Sequence, residues 1–485
     1  MNQDLKSSSK TIRVAIIGGG VAGLSAAFRI REELRAANQP HELVLYEQNE
    51  RCGGATQSQQ IDGYSLDLGP NGWLSSEPLT GRLVDQLGLT SELITANTAA
   101  GHRFIYTRNR LQKIPETPTK FLLSGLLRPW EKLRVVKEYF TPARSDDGDE
   151  TIYDFGCRRL GRGFAETMLD PMVSGIFAGD IHQLSLPATF PKMRAMELNY
   201  GGLFRAMFAK QKEKKKAQAD PGGSPTGPAG VLTTLQGGTG RLSSELASVM
   251  SDVIRKGNAV SALSRQSDQF VVSCDGDHQQ YDSVVMAVPA YQAAEIVKDL
   301  TPEISQTLQK ISFANVAVVS HAYDRKTLPR ELNGFGHLIP RRDGIRALGC
   351  LWTSCIFPNQ APTSKVLLRT IFGGSHDPEI LSLSDSELIE TVVESTATTL
   401  GIRTNPLQTW IFRHPQGIAQ YTLGHRERVQ QIEQFCEQLP GLVFVGASYR
   451  GVALNRCIRD AYTIAPRVLL PWGINAPSLS EKPPN

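Results

Sequence analysis

The sequence predicts an α/β protein organised around a parallel sheet. Three observations carry this. Val14-Ala15-Ile16-Ile17 is a short apolar strand that runs straight into Gly18-Gly19-Gly20-Val21-Ala22-Gly23. A helical stretch follows and leads to a second apolar strand, Leu43-Val44-Leu45-Tyr46, which ends on Glu47. A β run, a glycine turn and a helix recur near the end of the chain, over 443–458. Strands alternating with helices are the pattern of parallel sheets.

Each part of the first unit has a chemical reason. Gly18, Gly20 and Gly23 stand at the G-x-G-x-x-G spacing. The first permits a tight turn, the second lets a pyrophosphate approach the backbone, and the third lets helix pack on strand. Free amides at the helix N-terminus then bind phosphate. Leu24, Ala27, Phe28 and Leu34 give the helix its apolar side, and Asn38-Gln39-Pro40 stops it, since proline cannot continue a helix. Glu47 lies at the tip of the second strand, where a carboxylate accepts from ribose hydroxyls. Together these predict a Rossmann-type dinucleotide site.

Composition bounds the rest. The chain has 485 residues, 40% hydrophobic and 21% charged. At about 150 residues per domain this is roughly three domains' worth of chain. The balance excludes a disordered chain, a collagen or a simple coiled coil. A net charge of +4 does not argue for nucleic acid, which needs clustered cations. No run approaches the ~20 apolar residues of a membrane span, and the first ten residues lack the apolar core of a secretory signal. The seven cysteines form no CxxC pair, so reduced thiols in a cytoplasmic protein are expected, without a disulfide framework or zinc. The nine histidines show no metal spacing.

Shortly after Glu47 comes Arg51-Cys52-Gly53-Gly54-Ala55-Thr56, and then Asp67-Leu68-Gly69-Pro70-Asn71-Gly72. A second glycine pair so close to the ribose acid resembles the FAD-binding oxidases, so FAD is the expected cofactor. Near the C-terminus, Leu454, Cys457, Ile458, Ala461, Ala465 and Val468 give a helix an apolar face. Its N-terminus, near Val452 and Ala453, would point at the flavin. A helix N-terminus stabilises negative charge by ~0.3–1 kcal/mol.

Tyr449-x-Gly451-Val452-Ala453-Leu454-x-x-Cys457 and Ser174-Gly175-Ile176-Phe177-Ala178-Gly179-Asp180 are the most specific stretches. With Arg103-Phe104-Ile105, Gly237-Gly238-Thr239-Gly240, Gly334-Phe335-Gly336-His337-Leu338 and Phe357-Pro358-Asn359, they resemble the flavin amine-oxidase superfamily. Within it they are most similar to the protoporphyrinogen oxidases, in their plant-like branch. The resemblance spans about residues 12–470.

It implies a p-hydroxybenzoate-hydroxylase-like α/β FAD domain, an interleaved α+β substrate domain and a helical membrane-docking insertion. The expected division is 10–95, 229–297 and 425–470 for the FAD domain. Residues 96–115 and 298–424 form the substrate domain, and 116–228 the insertion. In the insertion, Phe121 to Phe140 is densely apolar and broadly helical in spacing. Trp130 and Lys132 are types favoured at a bilayer interface. Five lysines fall within residues 210–216 and would attract anionic lipid at ~1 kcal/mol each. A glycine- and proline-rich loop follows at 220–228.

The implied reaction is oxygen-dependent oxidation of protoporphyrinogen IX to protoporphyrin IX, in heme biosynthesis, with three hydrogen peroxides formed. Noncovalent FAD would be held by Gly18, Gly19, Gly20, Val21, Ala22, Gly23, Glu47, Gln48, Gly54, Ala55, Gly69, Pro70, Asn71, Gly72, Val260, Ala447, Val452, Ala453 and Leu454. Arg103 matches a position that meets a substrate propionate. Leu338 and Phe357 match residues that sandwich the macrocycle, and Gly175 a close backbone approach to it. No catalytic base emerges except His337, and flavin chemistry at a methylene bridge requires none. Implied partners are the porphyrinogen, molecular oxygen, a membrane surface at the inner face of the cell membrane, a second copy of the chain and ferrochelatase.

Three other readings stand beside this one. Coproporphyrinogen III carries more propionates and would favour extra cations, with Arg341, Arg342 and Arg346 as candidates. An amine oxidase is the second. Where many of those enzymes place a lysine this chain has Val318, and 413–418 offers no cysteine for covalent flavin. The third is a flavin-fold binding protein without activity.

Overall fold

The computed structural model describes residues 10–144, 146, 148–212, the backbone of 213–216, and 230–474. The first sheet has five strands, all parallel. Their spatial order is Ile254–Lys256, His41–Glu47, Ile12–Ile17, Ser283–Met286 and Leu442–Phe444. It is buried on both faces, as continuous runs such as Ile12-Arg13-Val14-Ala15-Ile16-Ile17 require. The helix Val21–Ala36 packs on one side with Leu454–Thr463 and Ala465–Trp472. The three-stranded antiparallel sheet Val260–Gln266, Gln269–Cys274 and Asp277–Tyr281 covers the other. Asp252 and Val253 lie in a turn, and the strand starts at Ile254.

The second sheet has seven strands, in the order Gln408–Ala419, Phe313–Asp324, Lys365–Gly373, Gly349–Leu351, Gly336–Leu338, Arg103–Thr107 and Arg110–Lys113. All neighbours are antiparallel except Gly336–Leu338 with Arg103–Thr107. One face is closed by the helix Asp385–Leu400. Leu388 and Val392 of that helix pack on Tyr106, Ala317, Val319 and Phe372. The other face turns toward the first sheet, where Tyr64 and Leu66 meet Leu367, Trp410 and Phe412.

Among the described residues between Lys113 and Leu232 there is no strand. The 121–140 stretch is not one helix. Pro118–Leu123 and Pro129–Val136 are separated by a break, because Pro129 starts a new helix better than it continues an old one. Lys132 does not reach outward as an interfacial lysine would. Its Nζ donates to the carbonyls of Leu122 and Ser124 at 2.7 and 2.6 Å, satisfying the end of the first helix. The region is tied together from within. Arg159 and Glu138, both fully buried, form an ion pair, and Glu138 also accepts from the amides of Leu203 and Phe204. The helix Leu203–Lys216 carries the lysine cluster. Lys210 and Lys212 are exposed, while the side chains of Lys214, Lys215 and Lys216, and the 220–228 loop, lie outside the described residues. Among the described residues no helix is long and apolar enough to cross a membrane.

Candidate active site between the two sheets

The glycine turn sits at the C-terminal ends of the parallel strands, where chains to either side diverge and leave a crevice. Gly18 has φ +108°, and a Cβ there would come 2.7 Å from the Ala287 carbonyl oxygen. A Cβ on Gly23 would lie 1.9 Å from the Gly18 oxygen. Both positions therefore require glycine. Gly20 is different, because nothing lies within 4 Å of its would-be Cβ. That open space at the start of the Val21–Ala36 helix, which has no side-chain cap, is what a phosphate would fill.

Glu47 is buried, and its Oε2 accepts from the Gly19 amide at 2.8 Å. Oε1 accepts from Asn49 N–H at 2.9 Å and from Asn49 Nδ2 at 2.7 Å, so it is Oε2 that keeps a further lone pair for a hydroxyl. Gln48 follows, exposed. The Asn258 amide donates to the Glu47 carbonyl at 2.9 Å, which brings Val260 close to this strand tip.

The second glycine pair lies against the first turn. Gly53 N–H donates to the Gly19 carbonyl at 2.8 Å, and a Cβ on Gly54 would stand 3.2 Å from the Gly20 Cα. Gly69 in turn fits against Ala55, whose oxygen would be 1.9 Å from its Cβ. Gly54 and Ala55 are exposed and Leu68 to Gly72 half-exposed, so one groove continues from Gly20 past Pro70. Thr239 Oγ1 donates to the Pro70 carbonyl at 2.8 Å. The Asn71 amide nitrogen is buried without a partner.

The C-terminal unit forms the far wall. Tyr421 Oη donates to the Ala447 carbonyl at 2.7 Å and accepts from Gly451 N–H at 2.7 Å. This bridge fixes the 447–451 bend. Ala447 and Ala453 are exposed and Val452 half-exposed, at the mouth of the uncapped helix Leu454–Thr463. Leu454 itself is buried in the core. A glycine cradle with open space above Gly20, two uncapped helix ends and an orphaned buried amide fit a bound dinucleotide that extends toward the second sheet.

The seven-stranded sheet supplies the opposite side. Its pairing aligns Arg103 with Gly336, Leu338 with Gly349, Gly349 with Ile371, and Leu351 with Arg369. Paired residues share a face. Arg103, Leu338, Leu351, Arg369 and Ile371 therefore stand on one face, with Val318 and Phe412 beside Ile371. Leu338, Leu351, Ile371 and Phe412 are only half-buried, which marks an open apolar floor. Leu351 and Ile371 were not expected from sequence.

Arg103 is exposed, stacks 5.1 Å from the Phe335 ring and has no carboxylate partner among the described residues. Desolvation nevertheless holds its guanidinium below the ordinary value. Gly175, in the helix Asp170–Phe177, is brought against the floor. A Cβ there would meet Leu338 Cδ2 at 2.7 Å. That helix follows the π-helical turn Ala165–Leu169, where Pro171 has no N–H to donate. Two expectations change. Phe357 is fully buried with Ala100 and Ile356, in a cluster against which Phe335 and Leu351 pack, so it backs the floor and has no exposed face of its own. His337 points to the closed face, 3% exposed, with neither ring nitrogen partnered. Burial drops its pKa to about 3, so it is neither placed nor basic enough to take a substrate proton. Of the three further arginines, Arg346 is paired with Asp377 at 2.6 Å and Arg342 with Glu166 at 4.0 Å. Among the described residues, Arg341 Nη1 meets His376 Nε2, at 3.3 Å, and no carboxylate within ion-pair distance.

Known proteins resemble the chain along nearly its whole length. Coproporphyrinogen III oxidase of Bacillus subtilis is 32% identical over 456 residues, 92% of this chain and 95% of that one. Protoporphyrinogen oxidase of Bos taurus is 32% identical, covering 94% and 98%. A solved structure from Exiguobacterium sp. 255-15, assigned as a protoporphyrinogen oxidase, superposes with a TM-score of 0.80 at 26% identity, over 95% of this chain and 99% of that one. A reduced UDP-galactopyranose mutase shares the fold at a TM-score of 0.70 and 17% identity, with 97% of each chain covered. The family of flavin containing amine oxidoreductases matches residues 21–469. The chain is therefore a flavin-dependent oxidoreductase that uses FAD, and it belongs to the flavin containing amine oxidoreductase family.

Proposed function

We propose that the protein is an oxygen-dependent oxidase of a porphyrinogen, with protoporphyrinogen IX as substrate and coproporphyrinogen III as the alternative. One observation carries the reading. The open floor of Leu338, Leu351, Ile371 and Phe412 is apolar, and at its edge stands Arg103 with no carboxylate among the described residues. A porphyrinogen is a broad apolar ring with propionates at its margin. Arg103 binds a propionate bidentately, as a guanidinium does best. The floor and the backbone at Gly175 hold the macrocycle flat and exclude water from the reacting carbons.

FAD supplies the two-electron acceptor and its reoxidation by oxygen. Six hydrogens leave the substrate, and three oxygen molecules become three hydrogen peroxides. No side chain is assigned as base, since pyrrole N–H protons exchange with solvent as the ring aromatises. The alternative substrate is favoured by Arg341, three residues beyond Leu338 and without a carboxylate on its side chain within ion-pair distance among the described residues, and by the Bacillus subtilis relative's name. The test is porphyrin fluorescence from the two porphyrinogens side by side, with oxygen uptake. Turnover of neither rejects the proposal.

Peripheral membrane contact belongs to the same reading. Leu123 is 88% exposed, Phe140 75%, Leu133 64% and Trp130 63%. Lys120, Arg128, Lys137, Lys210 and Lys212 are exposed in the same region. Apolar side chains among cations suit the surface of an anionic bilayer. Co-sedimentation with anionic vesicles tests it, and a Trp130→Ser, Leu133→Ser variant that sediments equally well rejects it.

A further inference from the structure

One buried cation is not used by the substrate reading. Arg369 lies in the strand Lys365–Gly373 and is 5% exposed. Its Nη2 donates to the Gly69 carbonyl, and at 3.5 Å to that of Leu68. Its Nε is buried with no partner. Among the described residues it has no carboxylate within ion-pair distance. Asp67 is near enough to be felt, but its oxygens are taken. Ser58 Oγ and Thr239 N–H donate to Oδ1 at 2.6 and 2.9 Å, and Gln360 to Oδ2 at 3.2 Å. Desolvation pulls the guanidinium down to about 10, so it stays charged at neutral pH.

A buried charge without a counter-charge is costly, and an apolar residue would serve packing better. The position shows what the charge faces. Gly69 packs on Ala55, and Gly54 on Gly20, so Arg369 grips the loop that borders the cofactor groove. His414 Nε2–H donates to the Leu68 carbonyl at 2.9 Å from the same face of the sheet. Burial lowers the pKa of that imidazole, leaving it neutral and Arg369 the only charge of the clasp.

We infer that Arg369 is a positioning residue that fixes the Leu68–Gly69 loop and supplies the positive field stabilising negative charge on reduced flavin. This rests on FAD lying along the groove described above. An opposite charge at close range shifts an ionisation by about one to three powers of ten.

The test uses flavin-loaded protein and reads the flavin itself. In Arg369→Met the midpoint potential is expected to fall, and the sulfite dissociation constant to rise about tenfold or more. Arg369→Lys is expected to keep most of both. A flavin-loaded Arg369→Met protein with unchanged potential and sulfite affinity overturns the inference, leaving Arg369 a structural clasp. If that variant cannot hold flavin, the wild type decides. Fully reduced wild-type flavin that takes up its N1 proton at the same pH as free reduced flavin overturns the inference. Flavin that remains anionic well below that pH supports it. Wild-type protein that binds no FAD at all overturns the flavin reading itself, and is told apart by its lack of yellow colour.

Discussion

The two faces of the seven-stranded sheet are built from the same strands and do opposite things. On the closed face His337, Cys350, Thr370 and His321 run across neighbouring strands, each 3% exposed or less. Beneath the helix Asp385–Leu400, Val319 and Phe372 have no exposure at all. One residue further along each strand, the open face carries Arg103, Leu338, Leu351, Arg369 and Ile371, most of them half-buried. Even the polar groups differ in kind. The buried polar groups just named on the closed face are neutral, while those of the open face include two guanidiniums without a carboxylate within ion-pair distance among the described residues. The difference teaches that a strand can separate stability from function with a period of two residues.

A charge moved from one face to the other gives the largest expected contrast. Val319→Asp buries a carboxylate without a partner and is expected to cost ~4 kcal/mol or more, enough to prevent folding. Leu338→Asp is expected to fold with a modest loss, while porphyrin formation collapses. Thermal melts beside turnover check both, and equal stability losses would erase the distinction between faces.

Removing the edge cation is next. Arg103→Ala is expected to raise KM for a porphyrinogen by about tenfold to a hundredfold, the worth of a charged hydrogen bond, with Tm nearly unchanged. An unchanged KM removes Arg103 from the site.

The closed face also predicts a pH response. Burial lowers His321 and His337 to about 3, against about 6.5 in the unfolded chain. Between those values the unfolded chain binds more protons. Stability is therefore retained above about pH 6.5 and lost as pH falls, by at most ~1.4 kcal/mol per pH unit for each histidine. Melts from pH 7 to 4 check this, and a His337→Leu variant is expected to show a shallower slope. The smallest effect concerns Phe357. Because its ring has no exposure, Phe357→Leu is expected to cost about 1 kcal/mol of stability and leave KM within error. A large KM change would return Phe357 to the substrate.

How much of this was legible in sequence depends on how local the physics is. Gly18, Gly20, Gly23 and Glu47 could be read because turn, helix start and strand tip lie within one short stretch. Arg103, Leu338 and Gly175 came through resemblance, and nothing in their spacing alone showed that Gly175 meets Leu338 from a helix over 160 residues away. Leu351 was missed because Gly349–Leu351 is three residues long, too short to display alternation, and Ile371 because Lys365–Gly373 is largely apolar on both faces and shows none. Phe357 was misplaced because an aromatic beside a proline says nothing about which way the chain then turns. Arg369 sits inside Val-Leu-Leu-Arg-Thr-Ile-Phe and resembles a half-exposed polar strand position. Its partner carbonyl, 300 residues upstream, appears only when the two sheets meet.

The five-stranded parallel sheet takes its edge strand, Leu442–Phe444, from a point more than 420 residues after Gly18. During synthesis at ~5–20 residues per second, the glycine turn waits roughly 20–80 seconds before the last wall of its crevice leaves the ribosome. For the last part of that interval, once residue 286 has been made, the outer edge of Ser283–Met286 has no neighbour. A nascent chain of this design depends on chaperones or early flavin capture to avoid aggregation, and flavin-starved cells are expected to lose the protein before they lose its message.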